Sequence, residues 1–211
     1  MDCPLNILDL THTFADKFLK NNSLKTALSN LGGFIGDLGR TLGSDFYELV
    51  PDVWVHKSAN VFNAAYIGGN CIIGAKCEVR HGAFIRGNAL IGEGCVIGNS
   101  TEIKNAVLFD GVQVPHFNYV GDSILGYKCH LGAGAIISNV KSDKSLIEIY
   151  GEKFRKFGAI VGDFAEIGCN CVLNPGTVVG AYTRIYPLNS VRGRVPSKCI
   201  YKNKNQIISI N

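Results

Sequence analysis

The sequence predicts an all-β chain wound into a parallel β-helix, and a six-residue repeat carries this prediction. Aliphatic residues recur at every sixth position from Val55 to Ile103, and a small residue usually follows each of them by four positions. A hexapeptide period is typical of a parallel β-helix, in which each repeat supplies one short strand and one turn. Three repeats then make a triangular coil of about 18 residues, with the aliphatic side chains stacked inside it.

The repeat continues after short interruptions. Two five-residue steps, from Ile103 to Leu108 and from Val120 to Leu125, shorten it locally, and it resumes as far as Val191. Glycine often follows the aliphatic residue directly, as at Gly68 and Gly98. We attribute these glycines to turns that need a positive φ.

Five of the eight cysteines occupy the small inward position of the repeat: Cys71, Cys77, Cys95, Cys129 and Cys171. A free cysteine behaves there as a small buried hydrophobe. No pair of cysteines has the spacing of a zinc site, so neither a metal nor a disulfide framework is expected.

Three segments lie outside the repeat. Residues 1–50 are predicted to form an N-terminal helical segment of two helices, with Ser23 as a helix N-cap, which either covers an open end of the β-helix or binds a partner. Residues 51–195 form the β-helix domain, interrupted by a loop excursion over 139–158 that contains a hairpin turning at Gly151-Glu152. Residues 196–211 are expected to form a short strand or C-terminal tail.

Composition excludes several classes of function. No run of about 18 apolar residues is present, so no membrane span is expected. The start "MDCPLNILDL" lacks the pattern of a signal peptide, which favours a cytoplasmic location. The net charge is +4, without a dense Lys/Arg run or a series of stacking aromatics, so nucleic acid is not an expected partner. The histidines form no three-ligand set for a zinc-dependent anhydrase.

Candidate catalytic groups stand out where polar residues interrupt an otherwise regular coil. In "VPHFNYVGDS" (114–123), Pro115 is expected on a turn, with His116, Asn118 and Tyr119 facing outward. A neutral imidazole suits proton transfer near pH 7. Arg86 and Lys104 lie 18 residues apart, so they stack on one edge. They either form two solvated charges or repel each other until an anion such as a phosphate bridges them.

The motifs "GAFIR" (82–86), "GNSTEIKNA" (98–106), "PHFNYVGDS" (115–123) and "LGAGAIISN" (131–139) resemble a known family. It is the left-handed β-helix acetyltransferase domain of bacterial bifunctional N-acetylglucosamine-1-phosphate uridylyltransferase/glucosamine-1-phosphate acetyltransferases. Residues 156–187 look more like the archaeal sugar-1-phosphate nucleotidylyltransferase/acetyltransferases. The resemblance covers roughly residues 53–195 and implies a left-handed β-helix.

The resemblance implies a role for each matching residue. His116 would be the catalytic base, and Asn139 would contact substrate or acetyl-CoA at the acyl-transfer centre. Arg86 and Lys104 would hold the sugar phosphate, and Tyr119 would line the sugar site. His130 stands where the bacterial family has Asn, so it either replaces that Asn as a substrate-binding residue at the sugar or fills a corner of the coil. Those implied to line the coenzyme A groove are Ala133, Asn139, Cys169 and Pro187. The family also forms homotrimers with sites between neighbouring chains.

These expectations favour an acetyl-CoA-dependent N-acetyltransferase acting on an amino-sugar 1-phosphate or a related nucleotide sugar. The bacterial family has Ser at Cys169 and Tyr at Val140, which leaves the sugar open. Residues 1–50 carry no Gly-rich phosphate signature, so uridylyl transfer is not expected, and a separate nucleotidylyltransferase is a conceivable partner. The alternatives are a non-catalytic sugar-nucleotide-binding or regulatory protein and an O-acetyltransferase with another acceptor.

Overall fold

The computed structural model describes residues 4–210 and has a short helical region followed by a long array of strands. Two 3-10 turns, Pro4–Ile7 and Leu10–His12, precede three helices, α1 (Asp16–Asn21), α2 (Leu24–Ser29) and α3 (Leu31–Gly39). The Ser23 hydroxyl accepts a hydrogen bond from the Thr26 N–H, which confirms Ser23 as a helix N-cap. The two predicted helices are in fact shorter pieces, because the second one breaks at Asn30.

Twenty-five strands follow within the described residues. In chain order they are β1 (Phe46–Val50), β2 (Val53–His56), β3 (Asn60–Val61), β4 (Tyr66–Ile67), β5 (Cys71–Ile73), β6 (Glu78–Val79), β7 (Phe84–Ile85), β8 (Ala89–Ile91), β9 (Val96–Asn99), β10 (Glu102–Leu108), β11 (Gln113–His116), β12 (Tyr119–Leu125), β13 (His130–Leu131), β14 (Ile136–Ile137), β15 (Ile147–Ile149), β16 (Glu152–Phe154), β17 (Ala159–Val161), β18 (Glu166–Ile167), β19 (Val172–Leu173), β20 (Thr177–Val179), β21 (Arg184–Ile185), β22 (Ser190–Val191), β23 (Arg194–Val195), β24 (Cys199–Asn203) and β25 (Gln206–Ser209).

These strands build the three faces of a parallel β-helix, which confirms the predicted architecture. The first face stacks β2, β5, β8, the ends of β10 and β12, β17, β20 and β23. The second face stacks β3, β6, β9, β11, β13, β18, β21 and β24. The third face stacks β4, β7, the starts of β10 and β12, β14, β19 and β22.

Inside the coils, the aliphatic residues of the repeat stack as predicted. Ile67 pairs with Ile85, and Ile85 with Ile103, in register on the third face. The five cysteines at the small position are all buried. Their thiols also have a polar role that the sequence did not reveal, since Cys77 Sγ donates to the Gly92 carbonyl at 2.9 Å and Cys171 Sγ to Tyr186 at 3.1 Å. A thiol at this position therefore fills space and pairs a carbonyl inside the coil.

The glycines that follow the aliphatic residues allow neighbouring coils to approach closely. The prediction that they occupy turns with a positive φ is wrong. A Cβ added to Gly98 would lie 1.5 Å from the Pro115 carbonyl oxygen of the next coil. Neither Gly68 nor Gly98 has a positive φ. At several corners the residue with a positive φ is instead an asparagine, a lysine or an aromatic residue. Pro115 itself is buried within β11 opposite Gly98, and not on a turn as predicted.

The N-terminal helices pack beside the triangular prism that the coils form, with α3 along the first face and α2 against β16, and do not cap its end. Helix α3 packs against β5, β8 and β10. The chain ahead of α1 is tied to the same region, because the Asp9 N–H donates to Asp163 at 2.6 Å. Two of the edge strands are covered instead by antiparallel strands, β1 on β2 and β25 on β24. Residues 199–209 thus form a two-stranded hairpin where a short strand or a tail was expected. Residues 1–3 and 211 lie outside the described part of the chain.

The loop excursion leaves the coil between the third and first faces and contains the predicted hairpin, β15–β16. Its two-residue turn is Tyr150-Gly151, one position before the predicted one. Both residues have a positive φ, 49° and 80°, as a turn matching the twist of the strands requires. The Glu152 carboxylate accepts a hydrogen bond from the Lys25 N–H at 3.1 Å, which ties this hairpin to α2.

Candidate active site

Two edges of the prism carry eight of the nine residues predicted for the site. We call the corner between the second and third faces the histidine edge, defined by His116, Ala133, Cys169 and Pro187. We call the corner between the third and first faces the ion-pair edge, defined by Arg86, Glu102, Lys104, Tyr119, Asp122 and Asn139. The third face separates the two edges.

The histidine edge is held in line by backbone hydrogen bonds between successive coils. The Gly134 N–H donates to the His116 carbonyl at 3.0 Å, and the Asn170 N–H donates to Ala133 at 2.9 Å. The Leu188 N–H continues the series by donating to Cys169 at 3.0 Å. His116 and three of the four residues predicted to bind coenzyme A therefore lie along one continuous edge, on consecutive coils. The fourth, Asn139, lies on the ion-pair edge.

His116 ends strand β11 with an exposed side chain. Its ring makes no hydrogen bond or ion pair with any residue in the described range 4–210, so both ring nitrogens are open to a ligand or solvent. Its backbone N–H donates to the Asn118 side-chain oxygen at 3.1 Å. Asn118 is 2% exposed and its amide donates to Gly132 and Ala135, so the expectation that Asn118 faces outward is wrong.

The two cations of the ion-pair edge are in register, as predicted, because Ile85 and Ile103 before them are paired. Each cation, however, already has a carboxylate partner. Arg86 Nη1 lies 2.7 Å from Glu102 Oε1, and Lys104 Nζ lies 3.5 Å from Asp122 Oδ1. The argument that these cations need an outside anion to relieve their repulsion is therefore wrong, since the chain supplies both anions.

Asp122 is the centre of this edge, and sequence reasoning missed it. It is 5% exposed, and besides Lys104 it accepts hydrogen bonds from Asn105 Nδ2 at 2.9 Å and from Asn139 Nδ2. A signal for it was present, because Asn88, Asn105, Asp122 and Asn139 recur every 17 residues. Asn88, Asn105 and Asp122 all have a φ of 50°, a left-handed conformation that Asn and Asp tolerate better than most residues.

Tyr119 and Asn139 meet beside Asp122. Asn139 Nδ2 donates to the Tyr119 hydroxyl at 3.2 Å. Gly121 leaves room for both side chains, since an added Cβ would lie 2.6 Å from the Tyr119 hydroxyl and 2.8 Å from Asn139 Nδ2. Burial raises the pKa of Tyr119, and the charges of Asp122 and Glu102 raise it further. The hydroxyl therefore stays protonated at neutral pH and can donate a hydrogen bond to an acceptor.

His130 lies on neither edge. It is on the second face, where its Nδ1 is 2.9 Å from Glu166 Oε2. Within the single chain, no described contact joins His130 or His116 to the ion-pair edge. Across residues 4–210, no group of three or more His, Cys, Asp or Glu side chains could hold a metal ion. In the same range no helix is long and apolar enough to cross a membrane.

Comparison with known sequences identifies relatives of this region. A family model described as the GMPPB C-terminal domain matches residues 78–155. A bifunctional sugar-1-phosphate nucleotidylyltransferase/acetyltransferase of Sulfurisphaera tokodaii is 33% identical over 169 residues, which are 77% of this chain and 41% of that protein. The bifunctional protein GlmU of Staphylococcus epidermidis is 29% identical over 71% of this chain and 30% of its own length. The chain spans less than half the length of these relatives.

Solved structures give more distant similarities. The acetyltransferase domain of PglB from Neisseria gonorrhoeae, in complex with acetyl coenzyme A, is 20% identical, with a TM-score of 0.38 over 75% of this chain and 58% of that one. A mutant of perosamine N-acetyltransferase from Caulobacter crescentus, in complex with CoA and GDP-perosamine, has the same identity and TM-score over 78% of this chain and 59% of its own. The sequence relatives confirm the resemblance stated above: this chain is homologous to the acetyltransferase region of GlmU-type bifunctional proteins.

Proposed function

We propose that this chain is an acetyl-CoA-dependent N-acetyltransferase whose acceptor is an amino sugar carrying a phosphate. The observation that carries the proposal is the histidine edge. It aligns an exposed imidazole, free of partners in the described chain, with Ala133, Cys169 and Pro187 on the following coils. A base at one end of a groove for a long cofactor is the arrangement that acyl transfer from a thioester needs.

The reaction would begin when the neutral amine of the acceptor attacks the thioester carbonyl carbon of acetyl-CoA. A C–N bond forms, His116 accepts the proton that leaves the nitrogen, and the C–S bond breaks. The proton then passes from His116 to the thiolate, so that coenzyme A leaves as a thiol. Hydrogen-bond donors placed at the thioester carbonyl would stabilise the oxyanion of the tetrahedral intermediate.

The ion-pair edge would bind the acceptor. An amino-sugar phosphate carries an anionic phosphate and a basic amine, and this edge offers Arg86 and Lys104 beside Glu102 and Asp122. The phosphate would compete with the two carboxylates for the cations. Tyr119 and Asn139 would hydrogen-bond the sugar ring. Because Asn139 is bonded to Tyr119 and Asp122, its geometry favours a role on the acceptor side.

We further propose that the complete site forms between copies of the chain in a homotrimer. The third face separates His116 from the ion-pair edge, so a second chain could bring its own histidine edge to the acceptor. Exposed aromatic side chains support such packing, since Tyr66 and Phe84 lie side by side on the third face with ring centroids 5.3 Å apart. Phe117, 60% exposed, stands beside His116. Large exposed aromatic residues are typical of interface cores.

The test is a direct product assay. The purified chain would be incubated with acetyl-CoA and, separately, with glucosamine-1-phosphate, galactosamine-1-phosphate and a nucleotide-linked amino sugar. N-acetylated product would be measured by mass spectrometry. We expect product with at least one of these amines and none with glucose-1-phosphate, which offers only hydroxyl groups. Absence of product with every amine would overturn the proposal, and product with glucose-1-phosphate would favour O-acetylation.

A further inference from the structure

A basic cavity adjoins the ion-pair edge and shares Asp122 with it. Its volume is about 460 Å³, and it is bordered by three parts of the chain. Helix α2 contributes Lys25, Leu28 and Ser29, the loop excursion contributes Leu146 and residues 153–156, and the coil contributes Asn105 and Asp122. We call this site the basic cavity. Cavities of this size suit ligands as large as a nucleotide.

Four cations line the basic cavity: Lys25, Lys153, Arg155 and Lys156. All four side chains are exposed, and among residues 4–210 none lies within ion-pair distance of a carboxylate. The two acidic residues of the hairpin, Glu148 and Glu152, form no ion pair with these cations. Glu152 accepts the Lys25 backbone N–H, and Glu148 pairs with Lys153 across the strands without forming an ion pair. Asp122, the carboxylate in the lining, is already paired with Lys104.

The basic cavity therefore differs from the ion-pair edge in one decisive respect. At the edge each cation has a carboxylate from the chain, whereas the four cations that line the cavity have none within ion-pair distance among residues 4–210. Converging like charges raise the local concentration of anions, and a multiply charged phosphate group relieves their repulsion. The apolar part of the lining, Leu28, Leu146 and Phe154, adds a surface against which a sugar or base can pack.

We propose that the basic cavity binds the diphosphate of a nucleotide-linked acceptor, so that the amino sugar reaches the ion-pair edge. Asp122 and Asn105 border the cavity, while Asp122 also holds Asn139, so the two sites share a wall. An amino-sugar 1-phosphate would reach only one of the two sites, whereas a nucleoside diphosphate sugar occupies both. The assignment of the acceptor rests on the proposed function, but the binding of a diphosphate in the cavity does not.

The test is calorimetric titration at low ionic strength with pyrophosphate, UDP, ADP and coenzyme A, which all contain a diphosphate. The test variant is Lys153→Gln with Lys156→Gln, and the matched control is Lys57→Gln with Lys204→Gln, which removes two exposed lysines far from the cavity. We expect the test variant to lose affinity for pyrophosphate and for UDP or ADP at least tenfold. The affinity of the control variant for these ligands should stay within about twofold of that of the unaltered chain, because the control loses the same amount of positive charge but none in the cavity.

Two results would overturn the proposal. One is that pyrophosphate and both nucleotides fail to bind the unaltered chain at millimolar concentration, or bind the test variant equally well. The other is that only coenzyme A loses affinity in the test variant, which would assign the cavity to the acetyl donor. Because titration needs no turnover, these results are independent of the product assay, and a catalytically inactive chain with intact pyrophosphate binding would reject the proposed function alone.

Discussion

The two edges that border the third face come from the same repeat, yet they use their polar side chains in opposite ways. On the histidine edge, the His116 ring is exposed and has no partner in the described chain, while backbone hydrogen bonds alone keep the edge in line. On the ion-pair edge, Asp122 is buried and binds Lys104, Asn105 and Asn139 at once. The histidine edge leaves the His116 imidazole open to a ligand, whereas the charged side chains of the ion-pair edge are paired with one another.

This difference teaches how a rigid coil can carry two kinds of site. Backbone ladders fix the positions of corner residues whether or not their side chains interact, so a reactive group can be left unpaired at little structural cost. A network of buried polar groups, in contrast, stabilises the fold only while every member is satisfied. Substitutions on the two edges should therefore separate activity from stability.

The largest expected effect is on the rate, at the histidine edge. His116→Ala should lower kcat by roughly 10²–10⁴-fold, the range that a general base contributes, with little change in the free energy of unfolding. His81→Ala is the matched control, since His81 is an exposed histidine two coils earlier on the same edge. Product formation and urea unfolding would be measured for both. Equal kcat values for the two variants would remove His116 from the proposed mechanism.

The second prediction tests whether the two edges of one site come from the same chain or from two neighbouring chains. Lys104→Met should raise the KM for the acceptor roughly tenfold, through loss of a charge-assisted contact worth about 1.5 kcal/mol. If the site forms between copies, co-expression of His116→Ala with Lys104→Met chains should restore one of the three sites in each mixed trimer. The measurement is the activity of complexes isolated through two different affinity tags. Mixed complexes no more active than the parent variants would show that each chain uses its own two edges.

The third prediction addresses stability at the ion-pair edge. Asp122→Ala should destabilise the fold by about 1–3 kcal/mol, because it leaves half-buried amide and ammonium groups without their acceptor. Glu166→Ala removes the exposed partner of His130 and should cost about 0–1 kcal/mol. Urea unfolding of both variants gives the comparison. If Asp122→Ala is no less stable than Glu166→Ala, the network around Asp122 does not hold this edge together.

The last prediction requires no substitution and tests which thiols are exposed at the histidine edge. Cys169 is exposed there, while Cys171, two residues later, is buried. Burial raises the pKa of Cys71 to about 12, so that thiol stays protonated up to strongly alkaline pH and unreactive in the folded chain. At pH 8, iodoacetamide should modify Cys169 at least a hundredfold faster than Cys71 or Cys171, as followed by peptide mass spectrometry. Comparable rates would contradict the burial of the inward thiols.

Much of the fold was predictable because the repeat is local. The inward positions, the buried cysteines and the register of Arg86 with Lys104 follow from a period that can be counted along the chain. The short helices were harder to predict, because Asn30 interrupts a helical pattern that continues on both sides of it. The position of the helices was not predictable either, since a face and an end of the prism both offer apolar surface.

The candidate site was predictable only in part. The outward position of His116 followed from its place after an inward valine, but the same reasoning failed for Asn118, whose amide satisfies carbonyls inside the coil. The role of Asp122 depended on contacts between coils. Its recurrence every 17 residues was visible, yet the period alone could not show that three side chains converge on one carboxylate.

The sequence by itself determined the coil, the inward direction of the aliphatic residues of the repeat and the corner on which His116 stands, because a strand-and-turn period sets these locally. Only the tertiary structure decided which charges are neutralised. Glu102 and Asp122 reach Arg86 and Lys104 across neighbouring coils, whereas α2 and the loop excursion, more than 100 residues apart, meet to form a cavity whose cations keep no carboxylate partner within residues 4–210. Charge pairing depends on distances of a few ångströms between segments remote in sequence, and packing alone sets those distances.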